Sequence, residues 1–161
     1  MIDVEMKLTE HFTLKEMTAS KSHPEAVQMP NEKQVENLKR VAEWLEDLRR
    51  LYNSQYPSDD GKELPVIINS GYRCPMLNKA VGGQTNSNHL TGCAVDIHCP
   101  GETYYMRAQT AIRYAFLLLN IADCRKETFD ELIVERKGTT WWVHFAVRET
   151  DNRGKITCIA C

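Results

Sequence analysis

Ser87-Asn88-His89-Leu90-Thr91-Gly92-Cys93-Ala94-Val95-Asp96-Ile97-His98 brings an imidazole and a carboxylate together in one short segment. Both groups are zinc ligands, and Gly92 supplies a sharp turn that folds His89 back towards Asp96. Ala94 to His98 alternates and reads as a strand, with Asp96 on the face opposite Val95 and Ile97. His98 shares the parity of Asp96 but lies one pleat further along, which argues against a ligand role. A catalytic zinc keeps three protein ligands and one open position. His144, in Trp141-Trp142-Val143-His144-Phe145, is the candidate third ligand.

Outward from this segment lie Ile68-Asn69-Ser70-Gly71-Tyr72-Arg73-Cys74-Pro75, then Leu77-Asn78-Lys79-Ala80-Val81-Gly82-Gly83, and downstream Trp142-Val143-His144. In that order and at those distances the chain resembles the M15 family of zinc peptidases, which cut D-amino-acid-containing peptides of bacterial cell walls. The resemblance runs from Phe12 to Val147 and rests on several separate motifs. It implies Zn2+ held by His89, Asp96 and His144, and a peptidoglycan stem peptide as substrate. It also implies that Arg73 lines the cleft, where a guanidinium binds a substrate carboxylate or a developing oxyanion. Tyr72 and Arg73 follow a strand end, a position that faces sites, and Ser87 is placed to orient the loop or a substrate carbonyl. The family often has Gln immediately before the first histidine; this chain has Asn88.

At 161 residues the chain fits one domain, 1–161, with a core over about 12–147. Charged residues make up 26% and the formal net charge is −2, so there is no basic field for nucleic acid or an anionic membrane. Neither partner is expected, and a monomer is. The N-terminal Met1-Ile2-Asp3-Val4-Glu5-Met6 lacks the basic segment and apolar run of a secretory signal. The run from Tyr114 to Ala122 is too short to cross a bilayer. These features predict a soluble protein, cytoplasmic as made, which reaches a cell wall only through another exit such as phage-type release. Without export, the six cysteines read as small core side chains and not disulfides. Cys158-Ile159-Ala160-Cys161 has the spacing of a metal knuckle or redox pair but no second pair to match it.

The remaining elements follow from capping and periodicity. Thr13 and Glu16 form a capping box, with Phe12 as a hydrophobic staple, and start a short helix. Ser20 to Pro30 lacks apolar period and reads as a loop. Asn31 caps a long helix whose buried face is Val35, Leu38, Ala42, Leu45, Leu48 and Tyr52. Asn53 to Gly61 is a loop, Pro65 to Asn69 a strand, and Pro75 to Ala80 a helical turn. Thr103 to Asn120 reads as a helix burying Met106, Ala108, Ile112, Ala115, Phe116 and Leu119. Phe129 to Arg136 and Thr140 to Val147 form a hairpin, and Lys155 to Ile159 allows one edge strand. The sum is an α+β domain: a small antiparallel sheet, with helices packed around it, carries the zinc site.

A peptidase also needs a general base. Relatives in the family usually place an acid three residues before the final histidine, where this chain has Trp141. The preceding strand offers Asp130, Glu131 and Glu135. A two-residue Gly138-Thr139 turn pairs Glu135 with Trp142, Ile133 with His144 and Glu131 with Ala146. Both glutamates then share the His144 face as its diagonal neighbours, about 7–8 Å away, while Asp130 points to the other face. Between them Glu135 is favoured by the resemblance, since some family members carry Leu-Ile-x-Glu ahead of Trp-Val-His. The function implied is zinc-dependent hydrolysis of a peptidoglycan peptide bond, as endopeptidase or carboxypeptidase. The alternatives are a non-catalytic zinc-containing module of the same fold that binds wall peptides or a protein, and a small protein built on Cys158 and Cys161.

Overall fold

A computed structural model describes residues 2–160. Helix α1 (Leu14–Thr18) begins at the Thr13 capping box, in which Thr13 Oγ1 accepts from Glu16 N and the Glu16 carboxylate accepts from Thr13 N. Helix α2 (Glu32–Gln55) is capped in the same reciprocal way by Asn31 and Gln34. Strand β1 (Ile68–Ser70), helix α3 (Pro75–Ala80) and strand β2 (Ala94–His98) follow. Helix α4 (Tyr104–Arg125), strands β3 (Glu131–Lys137) and β4 (Thr140–Ala146), and strand β5 (Lys155–Ala160) complete the chain. The first strand is shorter than the predicted 65–69. It spans Ile68–Ser70, and its pairing with β2 shifts register between Ile68 and Ser70.

The strand order is β1-β2-β4-β3-β5. The first four are antiparallel, as expected, and β5 is parallel to β3, which makes the sheet mixed. The reason lies in the return segment. After β4 the chain turns through Asp151 and Gly154, both at positive φ (59° and 61°). It is then pinned at the start of β3, where Gly154 N donates to Phe129 O and Lys155 N to Asp130 O. A strand launched beside the first residues of β3 runs in the same direction as β3.

The two faces of the sheet are chemically separate. Val95, Ile97, Leu132, Val143 and Phe145 point into the core, each almost or wholly excluded from solvent. Against them pack Leu38, Trp44, Leu45 and Leu48 of α2 and Tyr114, Leu117 and Leu118 of α4. The Trp44 and Phe145 rings lie 5.2 Å apart, and Tyr52 meets Tyr114 edge-on at 4.9 Å. Burying each such aliphatic side chain contributes about 1.5–3 kcal/mol. This layer is the platform on which the other face stands.

One expected face is corrected. In α4 the buried positions are Thr110, Ala111, Tyr114, Leu117, Leu118 and Ile121. Met106, Ile112, Phe116 and Leu119, expected inside, are exposed, and Ala108 and Ala115 are half-buried. The helix is apolar on more than one side, so periodicity does not choose between faces; packing of Tyr114 and Leu118 on α2 and the sheet does. The helix also runs five residues past Asn120, to a left-handed cap at Lys126.

Candidate metal centre

Strands β2 and β4 pair so that Asp96 stands directly opposite His144. His89 arrives from a 3-10 turn, Asn88–Thr91, that Gly92 ends in the left-handed region (φ 73°). A side chain at Gly92 would also collide with the Gln34 carbonyl, at 2.6 Å. Ser87 caps this turn, its Oγ accepting from His89 N at 3.3 Å. The result is a cluster in which His89 Nε2 lies 3.3 Å and His144 Nδ1 2.9 Å from the same oxygen, Asp96 Oδ1. One donor atom from each of the three residues falls within 4.8 Å of the others.

The hydrogen bonds behind the cluster decide which nitrogens face inward. His89 Nδ1 lies 2.6 Å from the Gly71 carbonyl oxygen. A carbonyl only accepts, so Nδ1 carries the proton and Nε2 keeps its lone pair for a metal. Gly71 must approach closely to do this; a Cβ there would sit 2.2 Å from the Met17 carbonyl oxygen. On the other side, His144 Nε2 is 3.5 Å from Glu131 Oε2, a charge pairing that leaves Nδ1 towards Asp96. Asp96 Oδ2 accepts from Arg73 Nη2, while Arg73 Nε donates to Ser70 Oγ at 2.8 Å. Two imidazole nitrogens and one carboxylate oxygen, each fixed by a second partner, form a donor set that fits Zn2+.

Charges in the cluster are strongly coupled. Burial lowers the His89 pKa and outweighs the pull of Asp96. For His144 burial acts in the same direction, but hydrogen bonds to Asp96 and Glu131 overcome it and raise the group to about 9. Burial would raise Asp96; the two histidines reverse this and hold it well below the usual carboxylate range.

The candidate acids separate cleanly. The predicted register is the one observed: Glu135 opposite Trp142, Ile133 opposite His144, Glu131 opposite Ala146. Glu131 is fully engaged, 3.1 Å from Asn88 Nδ2, 3.0 Å from Arg153 Nη2 and 3.7 Å from Lys155 Nζ. The His144 hydrogen bond outweighs burial and, with the His144 and Arg153 charges and the Asn88 hydrogen bond, brings its pKa down to about 2. Glu135 faces the same cleft with no ion-pair partner among the described residues. Burial and then the Asp96 charge push its carboxyl above the ordinary value. Trp141 has the opposite parity to His144 and packs against the core.

A cleft of about 640 Å³ opens over the cluster, bordered by Arg73, Ser87, Glu131, Glu135, Trp142 and Lys155. Tyr72, expected to contact substrate, is instead 6% exposed and belongs to the core. Its backbone N–H donates to Met17 O, which turns the side chain inward just as Arg73 turns outward.

Sequence reasoning missed a second layer. Asn88 Nδ2 donates to Asp130 Oδ2 and Glu131 Oε2, and its Oδ1 accepts from Arg148 Nε. Asp130, wholly buried, also binds Arg153 at both carboxylate oxygens and lies 3.0 Å from Arg148 Nη2. One hint was available: Asn88 precedes a ligand and departs from the usual Gln. The Cys158–Cys161 reading lies partly outside the described residues, since Cys161 is not among them. Cys74, Cys93 and Cys99 are buried and free, as expected, whereas Cys124 and Cys158 are free but exposed and so do not serve the core.

Comparison with known proteins agrees with this geometry. Residues 10–116 match the family model described as Peptidase M15. The chain belongs to the peptidase M15 family. A curated relative, the zinc D-Ala-D-Ala carboxypeptidase of Streptomyces albus G, is 35% identical over 52 residues, covering 32% of this chain and 20% of the relative. The chain thus aligns with about a fifth of that protein's length. The family match ends before His144, so the third ligand of this M15 chain is located by strand pairing, not by the match.

Proposed function

We propose that this M15 peptidase hydrolyses a peptide bond of bacterial cell-wall peptidoglycan, as an endopeptidase or carboxypeptidase. The observation that carries the reading is a three-donor cluster with a half-buried carboxylate, Glu135, in the same cleft and without an ion-pair partner among the described residues. His89, Asp96 and His144 would hold Zn2+. When bound, zinc supplies Lewis-acid polarisation of a carbonyl and lowers the pKa of water towards about 7.

The chain's own residues supply the rest. Glu135 takes the proton of the attacking water at its carboxylate and returns it to the leaving amine. Its raised pKa suits both halves of that cycle. Glu131, neutralised by its cations, orients His144. Arg73 spends two donors on Ser70 and Asp96 and offers its remaining N–H groups to substrate negative charge. Ser87 borders the cleft while capping the His89 turn.

No helix among the described residues is long and apolar enough to cross a membrane. Delivery to the wall by a phage-type pore is part of this proposal. Digesting purified peptidoglycan with and without a zinc chelator, and identifying fragments by mass spectrometry, tests the reading. Zinc-dependent release of stem-peptide fragments is expected; intact peptidoglycan would leave a wall-binding module in its place.

A further inference from the structure

Helix α4 has two apolar faces, and the fold covers one. On the other, Tyr105, Met106, Ile112, Phe116 and Leu119 are 81%, 46%, 64%, 63% and 37% exposed. An apolar helix face is ordinarily a covered one. These residues are also not scattered. Tyr105, Gln109, Ile112, Phe116, Leu119 and Asp123 are all exposed and advance in steps of four, three, four, three and four. That is the spacing by which one helix seats lengthwise on another.

The seam is complementary to its own reverse. When a second copy is turned end over end about Tyr114, close to the middle of α4, Ile112 meets Phe116 and Gln109 meets Leu119. Tyr105 then meets Asp123, a phenol donor against a carboxylate. Glu102, just before the helix, meets Lys126, just after it. Lys126 already lies 2.9 Å from Asp123 of its own chain, so each end of the seam gathers two acids, one lysine and a tyrosine hydroxyl. An arrangement about a two-fold axis makes every such contact twice, and antiparallel helices also oppose their dipoles.

We infer that the outer face of α4 is the interface between two copies of this chain, paired antiparallel about Tyr114. This proposal stands against the expectation of a monomer. The metal centre lies on the opposite side of the sheet from α4, so both clefts stay open and face away from the interface. Two clefts on one particle can engage neighbouring peptides of a polymer, which raises apparent affinity without any new contact at either site.

Sedimentation equilibrium of the full chain over a concentration series tests the proposal. The expected result is a reversible transition from 18.5 kDa to twice that mass. Ile112→Glu combined with Phe116→Glu should weaken association more than about a hundredfold. Both positions are exposed, so melting of the dilute protein and zinc content should not change. Glu102→Lys alone should weaken the dimer about threefold, and adding Lys126→Glu should restore it, because the reversed charges meet again across the two-fold. A monomer at every concentration overturns the proposal, including one that instead co-floats with lipid vesicles through Ile112 and Phe116. So does a dimer that survives the double glutamate variant, or one in which the charge reversal is not rescued.

Discussion

The two faces of the sheet use the same strands for opposite purposes. On one, Val95, Ile97, Val143 and Phe145 are sealed against α2 and α4. On the other, one residue away along each strand, Asp96 and His144 meet with Arg73, Glu131 and Glu135 around them. Positions on the first face are held by close packing and tolerate little change in volume. Those on the second are held by directed hydrogen bonds and charge, where isosteric changes should leave the fold intact and remove function. The pleat keeps the faces apart, so damage to one should not have to pass through the other.

The sharpest test of that separation is at the ligands. His144→Ala should weaken zinc binding by well over about a hundredfold, since even partners behind a ligand are worth about 10–100-fold. The melting temperature of the metal-free protein should change little. Atomic absorption after dialysis, beside a thermal scan, reads both; zinc retained at full occupancy would displace His144 from the site.

Glu135 and Glu131 divide the same face again. Glu135→Gln should lower peptidoglycan hydrolysis by about 10²–10⁴ while leaving zinc content and melting unchanged. Glu131→Gln should act on the metal instead, weakening zinc by about 10–100-fold through loss of its hold on His144. Turnover and zinc titration of both variants separate the roles. An active Glu135→Gln protein would remove Glu135 from the chemistry.

Asp130 is where the separation should fail, because it is wholly buried yet tied to the site through Asn88. Asp130→Ala removes the shared acceptor of Asn88, Arg148 and Arg153, whose guanidinium groups stay partly in solvent, and should cost about 1–3 kcal/mol, readable as a fall in denaturant midpoint. Burial alone would raise the Asp130 pKa, but the Arg153 and Asn88 hydrogen bonds and the Arg148 charge hold it below the ordinary value. A depressed folded pKa means that this stability is present above the unfolded value near 4 and disappears as pH falls through the folded one. Wild-type stability should therefore drop in acid more steeply than that of Asp130→Ala; parallel pH profiles would contradict the linkage.

The smallest effect concerns the two faces of α4. Leu118→Ala should cost about 2–5 kcal/mol, whereas Phe116→Ala, at concentrations where the chain is monomeric, should stay within about 0.5 kcal/mol. Equal losses would mean that Phe116 is buried after all.

Much of the site could be read in the chain because its information is local. Strand alternation set the parity of Asp96 and His144, and a two-residue turn set which glutamates share that face. Both are consequences of a period of two, so hairpin register followed by counting. Capping at Thr13 and Asn31 was legible for the same reason, since donor and acceptor lie three residues apart.

Contacts between elements distant in sequence had no such local signature. The exposed side of α4 could not be chosen from a helix with apolar residues around most of its circumference; only packing on α2 and the sheet selected Tyr114 and Leu118. The parallel direction of β5 depended on hydrogen bonds from residues 153–155 to 129–130, across a whole hairpin. Tyr72 turned inward because its N–H is taken by Met17, far upstream. The joining of Asn88, Asp130, Arg148 and Arg153 was likewise decided by tertiary structure, since the polarity of a side chain is written in sequence but the partner that satisfies it in the interior is not.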